Sequence, residues 1–187
     1  SAPDSLTHLR AADPGKIGRA ALATRSLKRL LEARESRGDY GWTLCMLPTA
    51  ELARAAGTST AAYADHIARA CFLDSADPVG EWRRVHRTVG RIKQRLDRLG
   101  AARFRVESAG TDLEIAAGQR RTWAGVSGRN IPSFEVFVSP DWRGTRGVFH
   151  ADQPSYRSGN IVRGVRLEFK DGRVVRAQAA GGGAFLM

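Results

Sequence analysis

The sequence places one carboxylate inside a short apolar segment, where a charged side chain is unusual. Glu135 lies in residues 127–142, where a polar turn runs into a short apolar segment, 134–138, that Ser139–Pro140 ends. The alternating apolar side chains predict a β-strand over 134–138. Burying a carboxylate in such a strand is costly unless another group pairs with it. Glu135 is therefore a candidate metal ligand or acid–base group, and the alternative is an ion pair with an arginine.

Other side chains that could take part in chemistry are scattered. His150 and Asp152 share one face of a predicted strand and could bind a metal ion, although two ligands at this spacing are a weak signal. Asp112 and Glu114 share a face of a predicted hairpin, where carboxylates beside a turn are typically solvated. His86 lies beside the apolar stripe of a predicted helix, and we interpret it as a boundary residue.

Several common catalytic motifs are absent from the sequence. It contains no phosphate-binding loop of Walker type, no H-E-x-x-H zinc helix and no G-x-S-x-G nucleophile motif. Its cysteines, Cys45 and Cys71, lack C-x-x-C spacing, so neither a disulfide framework nor a zinc finger is indicated. We interpret both as small core residues, because cysteine outside disulfides is frequently buried.

Length and composition indicate a folded protein. With 187 residues, 42% of them hydrophobic, the chain can build the core of one domain or one and a half. No apolar run approaches the roughly 20 residues that span a bilayer. The first residues lack the charged and apolar pattern of a signal peptide. We therefore expect a cytoplasmic protein without a membrane partner.

The net charge of +11 raises the alternative of a basic nucleic-acid-binding module. Two features weigh against it. Arginine greatly outnumbers lysine, which is typical of a compositional bias, and the basic residues are spread along the chain instead of forming one arm. Nucleic acid is therefore not the partner that we expect.

The first part of the chain is predicted to be mainly helical around one short strand. Apolar residues recur at helical spacing over 16–35. The nearly continuous apolar run 42–47 predicts a buried strand, with parallel pairing as one option. Two short helices should follow, one capped by Thr49 and one capped by Ser59 or Thr60.

The clearest helix is predicted over 77–99. Asp77 is a good N-cap, Pro78 suits the first helical position, and Gly100 suits the left-handed conformation that ends many helices. Apolar residues at steps of three and four form one stripe, while arginines occupy much of the remaining surface. We interpret the arginine face as the solvated side of an amphipathic helix.

After Gly100 the apolar period changes from helical to alternating, which predicts antiparallel strands. One hairpin is expected with its turn at residues 109–111, and another with its turn at Asp171–Gly172. Further strands are expected at 134–138, 146–151, 161–169 and 173–179. Helices followed by antiparallel strands make the fold class α+β.

The segment around Glu135 is similar to the motif of a known family. Residues 130–140 resemble the Asn-x-Pro-x-x-Glu-Val-Phe-Thr-x-Pro signature of the thermophilic metallo-aminopeptidase family, the aminopeptidase T and S type. The resemblance extends over about residues 14–180. The other segments that carry it, in the family's order, are Trp42–Thr43, Leu47–Thr49, Asp77–Pro78, Trp82, Gly110–Leu113, Gly147–Val148, Pro154, Gly159 and Arg166–Phe169.

The resemblance implies that Glu135 is a ligand of a centre that holds two divalent cations, such as zinc, cobalt or magnesium. It implies hydrolysis of the N-terminal bonds of peptide substrates, in which the metals lower the pKa of a bound water and polarise the carbonyl. It also implies a homodimer. On this basis residues 1–76 are the end of an N-terminal α/β domain, and 77–187 are the start of the metal-binding domain.

The chain departs from the family's pattern at two points. Val138 stands where the family usually has threonine. The family's remaining metal ligands, a second glutamate, two histidines, a tyrosine and an aspartate, have no match here, and neither His150 nor Asp152 corresponds to one. Because a two-metal site needs several supported ligands, we expect an incomplete chain that lacks the C-terminal ligand region and is inactive alone. A non-catalytic interaction domain of the same fold is the other alternative.

Overall fold

A computed structural model describes residues 2–186, and the α+β class is confirmed. The helices are α1 (Pro14–Ala23), α2 (Arg25–Ser36), α3 (Ala50–Ala55), α4 (Thr60–Ala70), α5 (Pro78–Leu99) and α6 (Gly183–Leu186). The strands are β1 (Leu44–Cys45), β2 (Arg103–Ser108), β3 (Thr111–Ala116), β4 (Asn130–Ile131), β5 (Asp141–Ala151), β6 (Ser155–Arg157), β7 (Asn160–Val162), β8 (Val165–Lys170) and β9 (Arg173–Gln178). Over this part of the chain, no helix is both long and apolar enough to cross a membrane.

The helix predicted over 16–35 is divided into α1 and α2 at Thr24. The Thr24 hydroxyl donates to the carbonyl of Ala21 at 3.1 Å, and its backbone lies at φ −89° and ψ 0°. A threonine side chain that bonds back to the preceding turn competes with the helical hydrogen bonds. Periodicity alone does not reveal this break, because the apolar spacing continues across it.

The caps predicted for the two short helices are confirmed. Thr49 Oγ1 accepts from the backbone N–H of Leu52 at 3.2 Å, and Ser59 Oγ accepts from that of Ala62 at 3.2 Å. Each bond satisfies one of the backbone donors that a helix start leaves without a partner. Ser59, rather than Thr60, is therefore the cap of α4.

The strand predicted at 42–47 is shorter and more exposed than expected. It is reduced to β1, which pairs in parallel with β4, so parallel pairing is confirmed but burial is wrong. Leu44 is 47% exposed, because a partner of two residues covers little of its side chain. The cysteines divide in the same way: Cys71 is buried, as predicted, whereas Cys45 is exposed.

The long helix α5 begins and ends as predicted. Asp77 Oδ1 accepts from the N–H of Gly80 at 2.8 Å, and Gly100 adopts the left-handed conformation at φ 57°. Its apolar stripe is only partly covered. Val89 is buried, while Ile92 is 43% and Leu99 67% exposed.

Five antiparallel strands form the main sheet, in the order β2-β3-β5-β8-β9. The predicted hairpins at 109–111 and at Asp171–Gly172 join β2 to β3 and β8 to β9. The single strand expected over 161–169 is two strands, because the chain turns at Arg163–Gly164, with Gly164 at φ 58°. The division of the chain at residues 76 and 77 stays a prediction.

Candidate metal-ligand site

Glu135 lies in an extended, exposed segment and not in a regular strand. The prediction of a buried strand over 134–138 is therefore wrong. Prolines at 132 and 140 remove backbone donors at both ends, and in between Phe137 alone forms a bridge. It bonds to Ala124 in both directions, at 2.8 and 3.0 Å. Because Glu135 is in contact with solvent, its charge does not carry the desolvation cost that a buried strand would impose.

Aromatic packing fixes the segment on the N-terminal side of Glu135. The ring of Phe134 stacks on Trp82 of α5 at 5.4 Å and meets Phe72 edge-on at 6.0 Å. The Trp82 indole N–H donates to the carbonyl of Cys71 at 3.2 Å, which holds the indole in place. Aromatic pairs in these arrangements contribute beyond the area that they bury. The start of α5 and the turn that follows α4 thus position the residue before Glu135.

The C-terminal part of α5 holds residues 123–125, which lie against Glu135 on its other side. Lys93 Nζ donates to the carbonyl of Gly125 at 3.2 Å, and Asp97 accepts from the N–H of Trp123 at 3.0 Å. Gly125 lies at φ 137°, and a Cβ there would come within 2.0 Å of the Glu135 carbonyl oxygen. Since only glycine permits this approach, residues 123–125 pack directly against the backbone of Glu135.

The turn before Glu135 is tied to the N-terminal part of the chain. Arg129 forms an ion pair with Glu35 of α2, and Glu35 also accepts from the Trp42 indole N–H at 3.1 Å. The backbone N–H of Leu44 donates to the carbonyl of Arg129 at 2.6 Å. Residues distant in sequence therefore hold the turn around Arg129, which ends in the cis peptide bond Ile131–Pro132.

Glu135 lines a cavity of about 280 Å³. Within residues 2–186 its carboxylate forms no hydrogen bond and no ion pair, so the alternative of an arginine partner is not seen there. An ionised carboxylate in this position has its oxygens available as ligands for a hard cation. The remaining lining residues are Trp42, Ala124, Gly125, Val126, Ser127, Arg129, Asn130, Ser133 and Phe137.

The hairpin carboxylates are engaged elsewhere. Arg105 donates to both oxygens of Asp112 at 2.9 Å, and Arg146 donates to Glu114 at 2.7 Å, with Arg103 as a second partner. The hydrogen bond from Arg105 lowers the pKa of Asp112, and those from Arg103 and then Arg146 lower the pKa of Glu114. These carboxylates therefore act as partners of arginines on the sheet surface.

His150 and Asp152 do not gather into a site. The backbone N–H of His150 donates to the buried Thr111 hydroxyl at 2.9 Å, and Asp152 lies exposed beyond the end of β5. Among residues 2–186 no group of three or more histidine, cysteine, aspartate or glutamate side chains is arranged to hold a metal ion. Glu135 can supply one ligand, and the described residues alone do not complete a metal centre.

Sequence reasoning missed the residues that position Glu135. Lys93 and Asp97 are spaced i, i+4 on α5, so they share one face of that helix. A lysine and an aspartate within an otherwise arginine-rich polar face are the signal that could have indicated a contact. The role of Gly125 carries no comparable signal, because it depends on a tertiary approach.

Comparison with known proteins identifies the family. The thermophilic metalloprotease (M29) family model matches residues 1–187. The chain belongs to this family. M29 proteins are peptidases, so the resemblance drawn from the segment around Glu135 is confirmed at the level of the family.

Individual relatives of the M29 chain carry aminopeptidase names. It is 30% identical over 131 residues to aminopeptidase AmpS of Bacillus subtilis and 31% identical over 129 residues to aminopeptidase T of Thermus aquaticus, covering 63% and 62% of this chain. It spans 31% of the length of each of these two relatives. The solved structure of wild-type AmpT from Thermus thermophilus matches all of this chain and 49% of its own, with a TM-score of 0.79 and 27% identity.

Proposed function

We propose that the full-length protein is a metal-dependent aminopeptidase that hydrolyses N-terminal bonds of peptides in the cytoplasm. Glu135 is one ligand of its two-metal centre, which holds divalent cations such as zinc, cobalt or magnesium. The observation that carries this proposal is the exposed Glu135 carboxylate, which has no partner in residues 2–186 and whose backbone is held from both sides.

Glu135 differs from three carboxylates of the main sheet, and this difference supports the assignment. Asp112, Glu114 and Asp141 each bind an arginine, whereas Glu135 does not, although Arg129 lines the same cavity. A ligand needs oxygens that are not engaged and a backbone that is fixed by its surroundings. In this proposal the remaining ligands come from outside residues 1–187, and the isolated chain is inactive.

The variant Glu135→Gln tests the ligand role in the full-length protein. Glutamine keeps the size of the side chain but removes the charge, so we expect metal affinity and activity to fall by about 100-fold or more, beyond what removal of an outer-sphere partner typically costs. Metal content is measured by mass spectrometry and activity with an aminoacyl p-nitroanilide. The matched control is Asp152→Asn, which removes an exposed carboxylate outside the cavity and should change neither quantity.

Full metal content and activity in the Glu135→Gln variant would refute the assignment. Metal analysis of the unmodified full-length protein separates the enzyme from a non-catalytic interaction domain of the same fold, because the latter would contain no stoichiometric metal. For the isolated 187-residue chain, we expect no stoichiometric zinc after dialysis against micromolar zinc, since one carboxylate is too weak a ligand set.

We also propose that the full-length protein is a homodimer. Apolar side chains on α1 and α2 are more than half exposed, namely Leu22, Leu27 and Leu30. Burying such a patch in a subunit contact is favourable. Light scattering coupled to gel filtration gives the mass, and a value equal to one chain at micromolar concentration argues against the dimer.

A further inference from the structure

A second cavity, of about 400 Å³, lies between the first turns of α5 and the turn that precedes Glu135. Its volume falls in the range of roughly 300–1,000 Å³ typical of pockets for small molecules. Apolar side chains form much of its lining, which suits a hydrophobic group. These are Val79, Trp82, Val126 and Ile131.

The rim of this cavity is basic. Arg83, His86 and Arg87 line it, and no lining residue is acidic. Arg83 and Arg87 lie one helical turn apart on the same face. Within the described residues neither forms an ion pair, whereas the neighbouring Arg84 pairs with Glu81 at 2.8 Å. Two guanidinium groups that form no ion pair within the described residues thus lie at the edge of an apolar cavity.

The two cavities adjoin. Val126 and Ser127 line both the basic-rimmed cavity and the cavity that contains Glu135. A molecule with an apolar group and a negative charge at one end fits the basic-rimmed cavity. A short peptide with an apolar last residue has this chemistry, and its chain could continue past Ser127 towards Glu135.

We propose that the basic-rimmed cavity binds the C-terminal residue of a short peptide substrate. The apolar side chain lies against Trp82 and Ile131, and the terminal carboxylate accepts hydrogen bonds from Arg83 and Arg87. Guanidinium groups bind carboxylates through paired N–H donors, which makes them selective for this group. The identification of the ligand as a peptide rests on the proposed function, but its binding is measurable without catalysis.

The test compares N-acetyl-L-phenylalanine with its amide, each titrated into the full-length protein by calorimetry. The acetyl group removes the amine that a peptidase metal centre would hold, and the arginine variants separate recognition by this cavity from binding of the carboxylate to metal ions. We expect the acid to bind at least tenfold more tightly than the amide, because hydrogen bonds to a charged group are lost in the amide. The double variant R83M/R87M should lose this preference, while R95M, on the same helix but outside the cavity, should keep it.

Each other outcome overturns the inference. Equal binding of acid and amide would show an apolar slot without charge recognition, and no binding of either would show that the cavity does not accept the group. A short single-stranded oligonucleotide is tested as a competitor of the acid. If it displaces the acid, and if R95M weakens the binding of acid and oligonucleotide as much as R83M/R87M does, the site is a diffuse basic surface for nucleic acid. Circular dichroism of the variants verifies folding. Failure of the proposed function would appear separately, as a full-length protein that contains no stoichiometric metal and does not cleave the aminoacyl p-nitroanilide.

Discussion

At the level of single side chains, pairing with arginine lowers the pKa of three carboxylates of the sheet, Asp112, Glu114 and Asp141. The hydrogen bonds from Arg103 and Arg146 lower the pKa of Glu114 below its ordinary value of 4.5. A carboxyl group with a lowered pKa in the folded state stabilises the fold above pH 4.5, and this contribution is lost as the pH falls through the folded value. Glu114 sits between β2 and β5, so its charge holds three strands together.

We therefore expect Glu114→Gln to flatten the loss of unfolding free energy between pH 6 and pH 3. Glutamine does not titrate, so the part of the pH dependence that comes from residue 114 disappears. Urea denaturation at several pH values measures the effect, and Glu32→Gln on the exposed face of α2 is the control. An unchanged pH profile in the Glu114 variant would mean that its arginine contacts do not contribute in solution.

The chemical candidate at residue 135 was predictable from its motif, but its surroundings were not. A carboxylate inside an apolar run points to Glu135 whether the run is a strand or a loop. The sequence pattern does not show that Trp82 contacts Phe134 or that Lys93 reaches Gly125, because these contacts join residues 52 and 32 positions apart. Local patterns single out a candidate residue, whereas tertiary contacts determine whether its side chain is exposed.

At the scale of elements, helix α5 is the part on which the candidate site depends. Its N-cap Asp77 lies just before Trp82, and its C-terminal part carries Lys93 and Asp97. All its local signals agree, which is why its bounds were predictable. The structures of the runs at 42–47 and 134–138 were not predictable in this way. Alternation or apolar character predicts a strand, but it does not specify which strand will pair with it.

Replacing Asp77 by alanine should destabilise the protein by about 1 kcal/mol, the typical cost of losing an N-cap. The N–H of Gly80 would lose its 2.8 Å hydrogen bond to the Asp77 carboxylate. We expect a melting temperature lower by about 2–4 °C, measured by calorimetry. Asp74→Ala removes an exposed carboxylate from the preceding loop and should leave it unchanged. Equal melting temperatures for both variants would contradict the capping role.

At the scale of the whole molecule, the chain exposes far more surface than a compact monomer of the same mass. Its accessible surface is 13545 Å², whereas a compact monomer of this size exposes about 8,800 Å². Among the described residues, no large side chain is fully buried, and buried apolar positions are mostly small, such as Ala53, Val89 and Val162. Many leucines, valines and aromatic residues instead face solvent. These faces are available to bury against another folded segment or another chain.

This excess of surface leads to a prediction for the 187-residue chain in solution. A compact protein of this length has a radius of gyration of about 16 Å. We expect small-angle scattering at high dilution to give a larger value, and a dye that fluoresces on apolar surfaces to bind strongly. Raising the concentration should produce self-association, because exposed apolar faces bury each other. A monodisperse monomer with a radius near 16 Å and no dye binding would show that the chain closes its own core, and would contradict this prediction.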